Sequence, residues 1–189
     1  MILDVTAGNR VMWRMWGRTK PIEGVVFIDK ERDLHFPPDI IADNTHLPIR
    51  TDLKIDSIIF DPPWGINLPP WFLNKKPFNN ENKWGMSTNY YGDFKSKREL
   101  ITYIHKAQTE FKNYTERLCF KWGERNISLW KILPFFVKDG WIETHRIKHN
   151  RLFHNSFAKN SKSKNQTYWI VFQRTKTIIC AEGKENEEP

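Results

Sequence analysis

Four times within the first third of the chain an apolar run stops on an aspartate. Met1-Ile2-Leu3 ends at Asp4, Gly24-Val25-Val26-Phe27-Ile28 at Asp29, Asp39-Ile40-Ile41-Ala42 at Asp43, and Ile55-Asp56-Ser57-Ile58-Ile59-Phe60 at Asp61. The second run is β-branched and aromatic with no polar alternation, the pattern of a parallel strand buried on both faces. Repeated strands of this kind, joined by one helical connection and shorter turns, point to an α/β sheet. Ligands of open α/β sheets sit beyond the carboxyl ends of the strands, and all four acids belong to that end.

Between the first two strands lies a small-residue turn, Thr6-Ala7-Gly8, and then Val11, Met12, Met15 and Trp16 at helical spacing, with Gly17 as the stop. Trp13 and Trp16 read as packing residues. The fourth strand runs directly into Asp61-Pro62-Pro63-Trp64. An acid, two residues of fixed φ and a flat ring form a rigid device for holding one planar polar group. From 65 to 97 the regular pattern lapses into Pro, Asn and Lys among many aromatics, a composition that argues for a substrate loop or lid. Glu99 to Lys112 predicts a helix with Leu100, Ile101, Ile104, Ala107, Gln108 and Phe111 on one face. A strand at Arg117–Trp122, a helix at Ser128–Val137 kinked by Pro134, and strands at Trp141–Ile147 and Thr167–Phe172 complete the pattern. The organisation expected is a single domain over 1–176 with inserted loops at 65–97 and 148–166, followed by an acidic, disordered tail at 181–189.

The charge is uneven. Lys and Arg number 30 against 22 acids, a formal +8, and between Lys138 and Lys176 nine basic residues face two acidic ones. That concentration suggests a polyanionic partner, with Arg151, His154, Lys159, Lys162 and Lys164 as its contacts. Cys119 and Cys180 have neither disulfide-framework nor zinc-site spacing, and His145, His149 and His154 lack an acid or thiol to complete a metal set, so no metal is expected. No apolar run approaches the ~18 residues of a membrane span and no leader-type segment precedes Asp4; a soluble, cytoplasmic protein is expected.

Asp4-Val5-Thr6-Ala7-Gly8, Asp29, Asp43-Asn44 with Leu47-Pro48, and Asp61-Pro62-Pro63-Trp64 together resemble the class I S-adenosylmethionine-dependent methyltransferases, and among them the amino-methyltransferases of adenine N6 and cytosine N4. The Asp-Pro-Pro-Trp block is the specific part, and its position after four acid-ended strands strengthens it. The resemblance implies a Rossmann-like, seven-stranded, mostly parallel sheet with an antiparallel last strand and helices on both faces. It also implies S-adenosylmethionine as cofactor, bound by Asp4, Thr6, Ala7 and Gly8 at its methionine end, by Asp29 at the ribose hydroxyls, and by Asp43 and Asn44 at the adenine. Small residues allow the backbone to approach a ligand, Gly8 can adopt positive φ, and ionised carboxylates are acceptors only, so the chemistry of each position is consistent with its implied role.

For the target base, the resemblance assigns catalysis to Asp61, Pro62, Pro63 and Trp64. An exocyclic amine is a poor nucleophile because its lone pair is delocalised into the ring. If Asp61 and the Pro62 carbonyl accept its hydrogens, the nitrogen can pyramidalise and aim that pair at a methyl donor, while Trp64 stacks on the base. Such a base must be unpaired or flipped out of its helix. Lys121, after the fifth strand, is expected either to line the substrate pocket or to pair with Glu124.

The chain departs from the DNA enzymes of the family in lacking a separate recognition domain and the motif that usually precedes the first strand. RNA is therefore expected ahead of DNA, and adenine ahead of cytosine, with a partner subunit or homodimer as a further source of specificity. Two other classes remain in view: the same fold acting on a protein amide or small molecule, and a non-catalytic RNA-binding subunit of a methyltransferase complex.

Overall fold

The computed structural model describes residues 1–8, 10, 13, 22–32, 34, 36–63, 65–67, 94–124, 126–150 and 166–174, with 149 and 150 described by backbone alone. The expected helix at 11–17 lies outside the described residues except for Trp13, as do most of the 65–97 segment, 151–165 and the tail.

Seven strands form one sheet: β1 (Ile2–Asp4), β2 (Val25–Asp29), β3 (Ile40–Ile41), β4 (Ser57–Phe60), β5 (Arg117–Gly123), β6 (Trp141–Asn150) and β7 (Gln166–Arg174). Their order is β3-β2-β1-β4-β5-β7-β6. The first five are mutually parallel, and β7 is antiparallel to both β5 and β6, between which it lies. This is the seven-stranded, mostly parallel α/β sheet that the acid-ended runs and the family resemblance led us to expect. Its sequence reversal falls at β1, where the chain steps out to β2 and β3 and then returns to β4. That is the switch point at which open α/β sheets form a ligand crevice.

Side chains alternate across the sheet, so register decides which of them share a face. Leu3, Ile58, Leu118 and Phe172 stand in one row and Phe60, Phe120 and Ile170 in the next, all buried on the same face. Helices α1 (Lys97–Phe111) and α2 (Leu133–Lys138) cover that face: Phe111 meets Phe60 edge-on at 5.1 Å, and Phe136 packs on Phe120 at 4.8 Å and stacks on Phe172 at 4.6 Å. Trp13, in a helical conformation, packs edge-on against Phe27 on the opposite face.

The helix α1 starts where its chemistry dictates. Ser96 accepts the Glu99 N–H, and the Glu99 carboxylate reaches back to the Lys95 N–H, so two otherwise unpaired donors are satisfied. Its buried stripe of Leu100, Ile104, Ala107, Gln108 and Phe111 follows the predicted face, with Ile101 at the margin.

The expected helix at Ser128–Val137 is corrected. A 3-10 turn at Leu129–Lys131 is followed by the separate helix α2, and Pro134 stands in the first turn of α2 rather than kinking one long helix. A proline there sacrifices no hydrogen bond, since the first-turn N–H groups have no helical partner. Boundaries shift elsewhere as well. The strand β3 is two residues long with Asp43 two positions beyond it, β4 begins at Ser57 rather than Ile55, and β6 runs to Asn150. Residues 148–150 and 166, expected in an inserted loop, are therefore strand. Among the described residues no helix is long and apolar enough to cross a membrane.

Candidate functional site

The turn after β1 is built by backbone bonds to both flanking strands. The Val5 N–H donates to the Ile59 carbonyl and the Ala7 N–H to the Ile28 carbonyl, each at 3.1 Å, which holds the turn over the carboxyl ends of β2 and β4. Gly8 takes φ +47° there, a left-handed conformation that a side chain disfavours. Its N–H donates to Asp29 Oδ2 at 2.8 Å, while Asp29 Oδ1 accepts from Glu31 N–H at 2.9 Å. The glycine turn and the acid that ends β2 thus form one unit.

Asp4 is 1% exposed. Its Oδ1 accepts from the Thr6 N–H and its Oδ2 from Trp13 Nε1 at 2.7 Å, so both oxygens shape the turn and the first residues after it. Burial pushes its pKa from 3.8 to about 6, against those two hydrogen bonds, and the charges of Asp61 and Asp29 push the same way. Trp13 was foreseen as a packing residue; its indole N–H bond to Asp4 has no signature in the sequence.

Beyond β3, Asp43 Oδ1 accepts from both the backbone N–H and the hydroxyl of Thr45 at 2.8 Å, an Asx turn. Burial raises its pKa, but the two Thr45 bonds, with Lys30 and His46, outweigh this and hold the carboxyl below its ordinary value. Asn44 is buried behind it. Its Nδ2 donates to the Val5 carbonyl at 3.2 Å and to the Tyr103 hydroxyl at 2.7 Å, whereas its buried Oδ1 has no hydrogen-bond partner among the described residues. Tyr103, on α1, was not singled out by sequence. Burial drives its hydroxyl well above its ordinary pKa, against the Asn44 bond. Its ring lies 5.3 Å from Phe94.

Asp61 is tied into the same cluster. Its N–H donates to Thr6 Oγ1 at 2.7 Å, so the β1 turn and the end of β4 are joined directly. Pro62 is buried and Pro63 half-buried; Trp64 lies outside the described residues. The segment that follows is pinned at its base, where the Phe94 N–H donates to the Gly65 carbonyl and the Asn67 N–H to the Phe94 carbonyl.

Lys121 settles one alternative. Its Nζ contacts Asp61 Oδ2 and lies 5.6 Å from the Trp169 ring centre, and it does not pair with Glu124. Glu124 instead accepts from the Leu129 N–H at 2.8 Å and caps the 3-10 turn. Arg151, His154, Lys159, Lys162 and Lys164 lie outside the described residues. The structure therefore brings together Asp4, Thr6, Ala7, Gly8, Asp29 and Asp61, with Lys121 beside Asp61 and with Asp43 and Asn44 at the neighbouring strand end. Among the described residues no group of three His, Cys, Asp or Glu is disposed to hold a metal ion.

No protein-family model and no curated protein matches the chain. Two solved structures from Thermoplasma acidophilum are distantly similar to the chain. One is 11% identical with a TM-score of 0.44, covering 93% of this chain and 79% of its own. The other, described as a proposed methyltransferase, is 10% identical with a TM-score of 0.41, covering 93% of this chain and 67% of its own.

Proposed function

We propose that the protein is an S-adenosylmethionine-dependent methyltransferase acting on the exocyclic amine of a nucleobase, with adenine N6 in RNA as the favoured target. One observation carries the reading: the Asp-Pro-Pro block is hydrogen-bonded through Thr6 to a glycine turn that is itself bonded to the acid ending β2. An acceptor for a planar amine and a cradle for a nucleoside cofactor are therefore adjacent parts of one assembly.

The described residues fit such a cofactor. Gly8 adds no side chain at the closest backbone approach, and Asp29 and Asp43 offer acceptors for hydroxyl and amino hydrogens. The buried Asn44 Oδ1, without a partner among the described residues, has capacity for one more donor. When bound, the cofactor supplies an electrophilic methyl group on a sulfonium. The chain's own part is to hold the amine. Asp61 Oδ1 and the Pro62 carbonyl accept its two hydrogens, the proline ring keeps that carbonyl rigid, and Trp64 stacks on the base. The proton that the amine sheds is held at Asp61 Oδ1 until it passes to water.

The basic segment supports nucleic acid as the substrate. Because β6 runs parallel to β5 across the sheet, its last residues, from Arg146 to Asn150, stand at the same end as Asp61 and lead into the Arg151–Lys164 run.

The test is incubation with methyl-labelled cofactor and total RNA, DNA or protein. Label is expected in RNA at an N6-methyladenine; label appearing only in protein would sink the reading. Asp61→Ala is expected to abolish transfer while leaving cofactor affinity, measured by calorimetry, within about threefold of the native value. Full activity in that variant would refute the role given to Asp61. RNA binding without any cofactor binding would identify a non-catalytic subunit.

A further inference from the structure

Asp61, Lys121 and Trp169 come from three adjacent strands. Phe60 pairs with Phe120 in the parallel β4–β5 ladder, so the next rung sets Asp61 beside Lys121; Lys121 in turn pairs with Trp169 across the antiparallel β5–β7 ladder. The three side chains thus form one row at the site end of the sheet, on the face opposite Phe60 and Phe120. The Lys121 ammonium is engaged on both sides, by Asp61 Oδ2 and by the indole ring.

We propose that Lys121 is a positioning residue for the reaction at Asp61: steadied on the Trp169 ring, its ammonium holds Oδ2 and so turns Oδ1 toward the substrate amine. The inference rests on the reading of Asp61 given above and replaces the direct substrate contact expected of Lys121. Three observations lead to it. An unanchored aspartate can present either oxygen in several rotamers, whereas an amine in a rigid pocket needs one acceptor lone pair in a fixed direction. The ion pair is partly solvated, with side-chain exposures of 24% and 33%, and pairs of that kind add little to stability, so its placement calls for another reason. A lysine side chain is also costly to immobilise, and the Trp169 ring beneath it removes that freedom before substrate arrives. A phosphate contact would require the ammonium to face outward, away from both partners.

The experiment uses the full chain, methyl-labelled cofactor and the nucleic acid that the wild-type protein labels. Lys121→Met is expected to lower kcat about tenfold or more with KM for nucleic acid within about threefold, and Lys121→Arg to recover most of the loss. Cofactor affinity by calorimetry and the thermal midpoint should match the wild type in both. Trp169→Leu, which leaves the lysine but removes its support, is expected to give a smaller fall in kcat. In crystals of Lys121→Met the Asp61 carboxylate should occupy more than one rotamer. An unchanged kcat, a loss confined to KM, an arginine variant as slow as the methionine one, or a single native-like Asp61 rotamer in Lys121→Met would each overturn the proposal. Wild-type protein that labels no nucleic acid would remove the underlying reading and this inference with it.

Discussion

Asp4 is a carboxylate that water does not reach, with two other acids near enough to raise its pKa. Its protonated form favours the folded chain. That advantage is fully present below the ordinary value of 3.8 and is lost as pH rises through about 6. The span corresponds to about 3 kcal/mol. Asp4→Asn has no charge to bury, so the stability of the wild type relative to this variant should fall by about 2 kcal/mol of that span between pH 4 and pH 6, as read from urea unfolding. Equal pH dependence in the two proteins would show that Asp4 titrates normally. At this scale the sequence disclosed the acids and the glycine but not their partners. Asp4, Gly8, Asp29, Asp43 and Asp61 were identifiable because each ends or follows an apolar run. The contacts of Trp13 with Asp4, Tyr103 with Asn44 and Trp169 with Lys121 were not, because they depend on helix placement and cross-strand register. The same lack of register left Lys121 undecided between pairing with Glu124, three residues away, and lining the pocket, and gave no sign of Asp61, sixty residues away.

Among the elements, α1 carries the clearest sequence signal and a buried polar group on its predicted face. Gln108 lies on its apolar stripe and is fully buried. Its Oε1 accepts from Trp141 Nε1 at 2.7 Å and its Nε2 donates to Asp139 Oδ2, fastening α1 to the turn between α2 and β6. Asp139 also accepts from Thr109 and lies 3.0 Å from His105 and 3.4 Å from Lys112. Gln108→Leu matches the apolar stripe but strands the Trp141 N–H in the core, at a cost of about 1–3 kcal/mol. Urea denaturation measures it; a variant as stable as the wild type would mean that the indole finds another acceptor. Periodicity predicted the face of α1 because burial sets it. Pro134 misled for a local reason: proline is equally compatible with a kink and with a first turn, and only the break at Ile132 distinguishes them.

For the whole molecule, the sheet class was legible from the acid-ended runs, whereas the lateral order of β5, β7 and β6 was not, since pairing partners leave no periodicity in a single sequence. The charge surplus on the last third of the chain is a property of the same scale. It predicts that RNA affinity falls steeply with salt, and that neutralising Lys159, Lys162 and Lys164 together reduces the slope of log affinity against log salt by about two to three. Filter binding across a salt series tests this, and an unchanged slope would exclude that segment from the interface.

The position of β7 has a consequence for biogenesis. Among the described strands the last in sequence is an interior one: of these, β6 pairs with β7 alone, and β7 also forms the far edge of β5, including the rung at Lys121. While the chain is emerging from the ribosome, β1 to β5 can assemble, but β6 has nowhere to dock and β5 remains an open edge. Closure waits for residues 166–174, so the row Asp61–Lys121–Trp169 is completed only after β6 has been made. A nascent chain arrested before Gln166 would hold a formed glycine turn beside an unsupported lysine, and the row would be completed in one step when β7 docks.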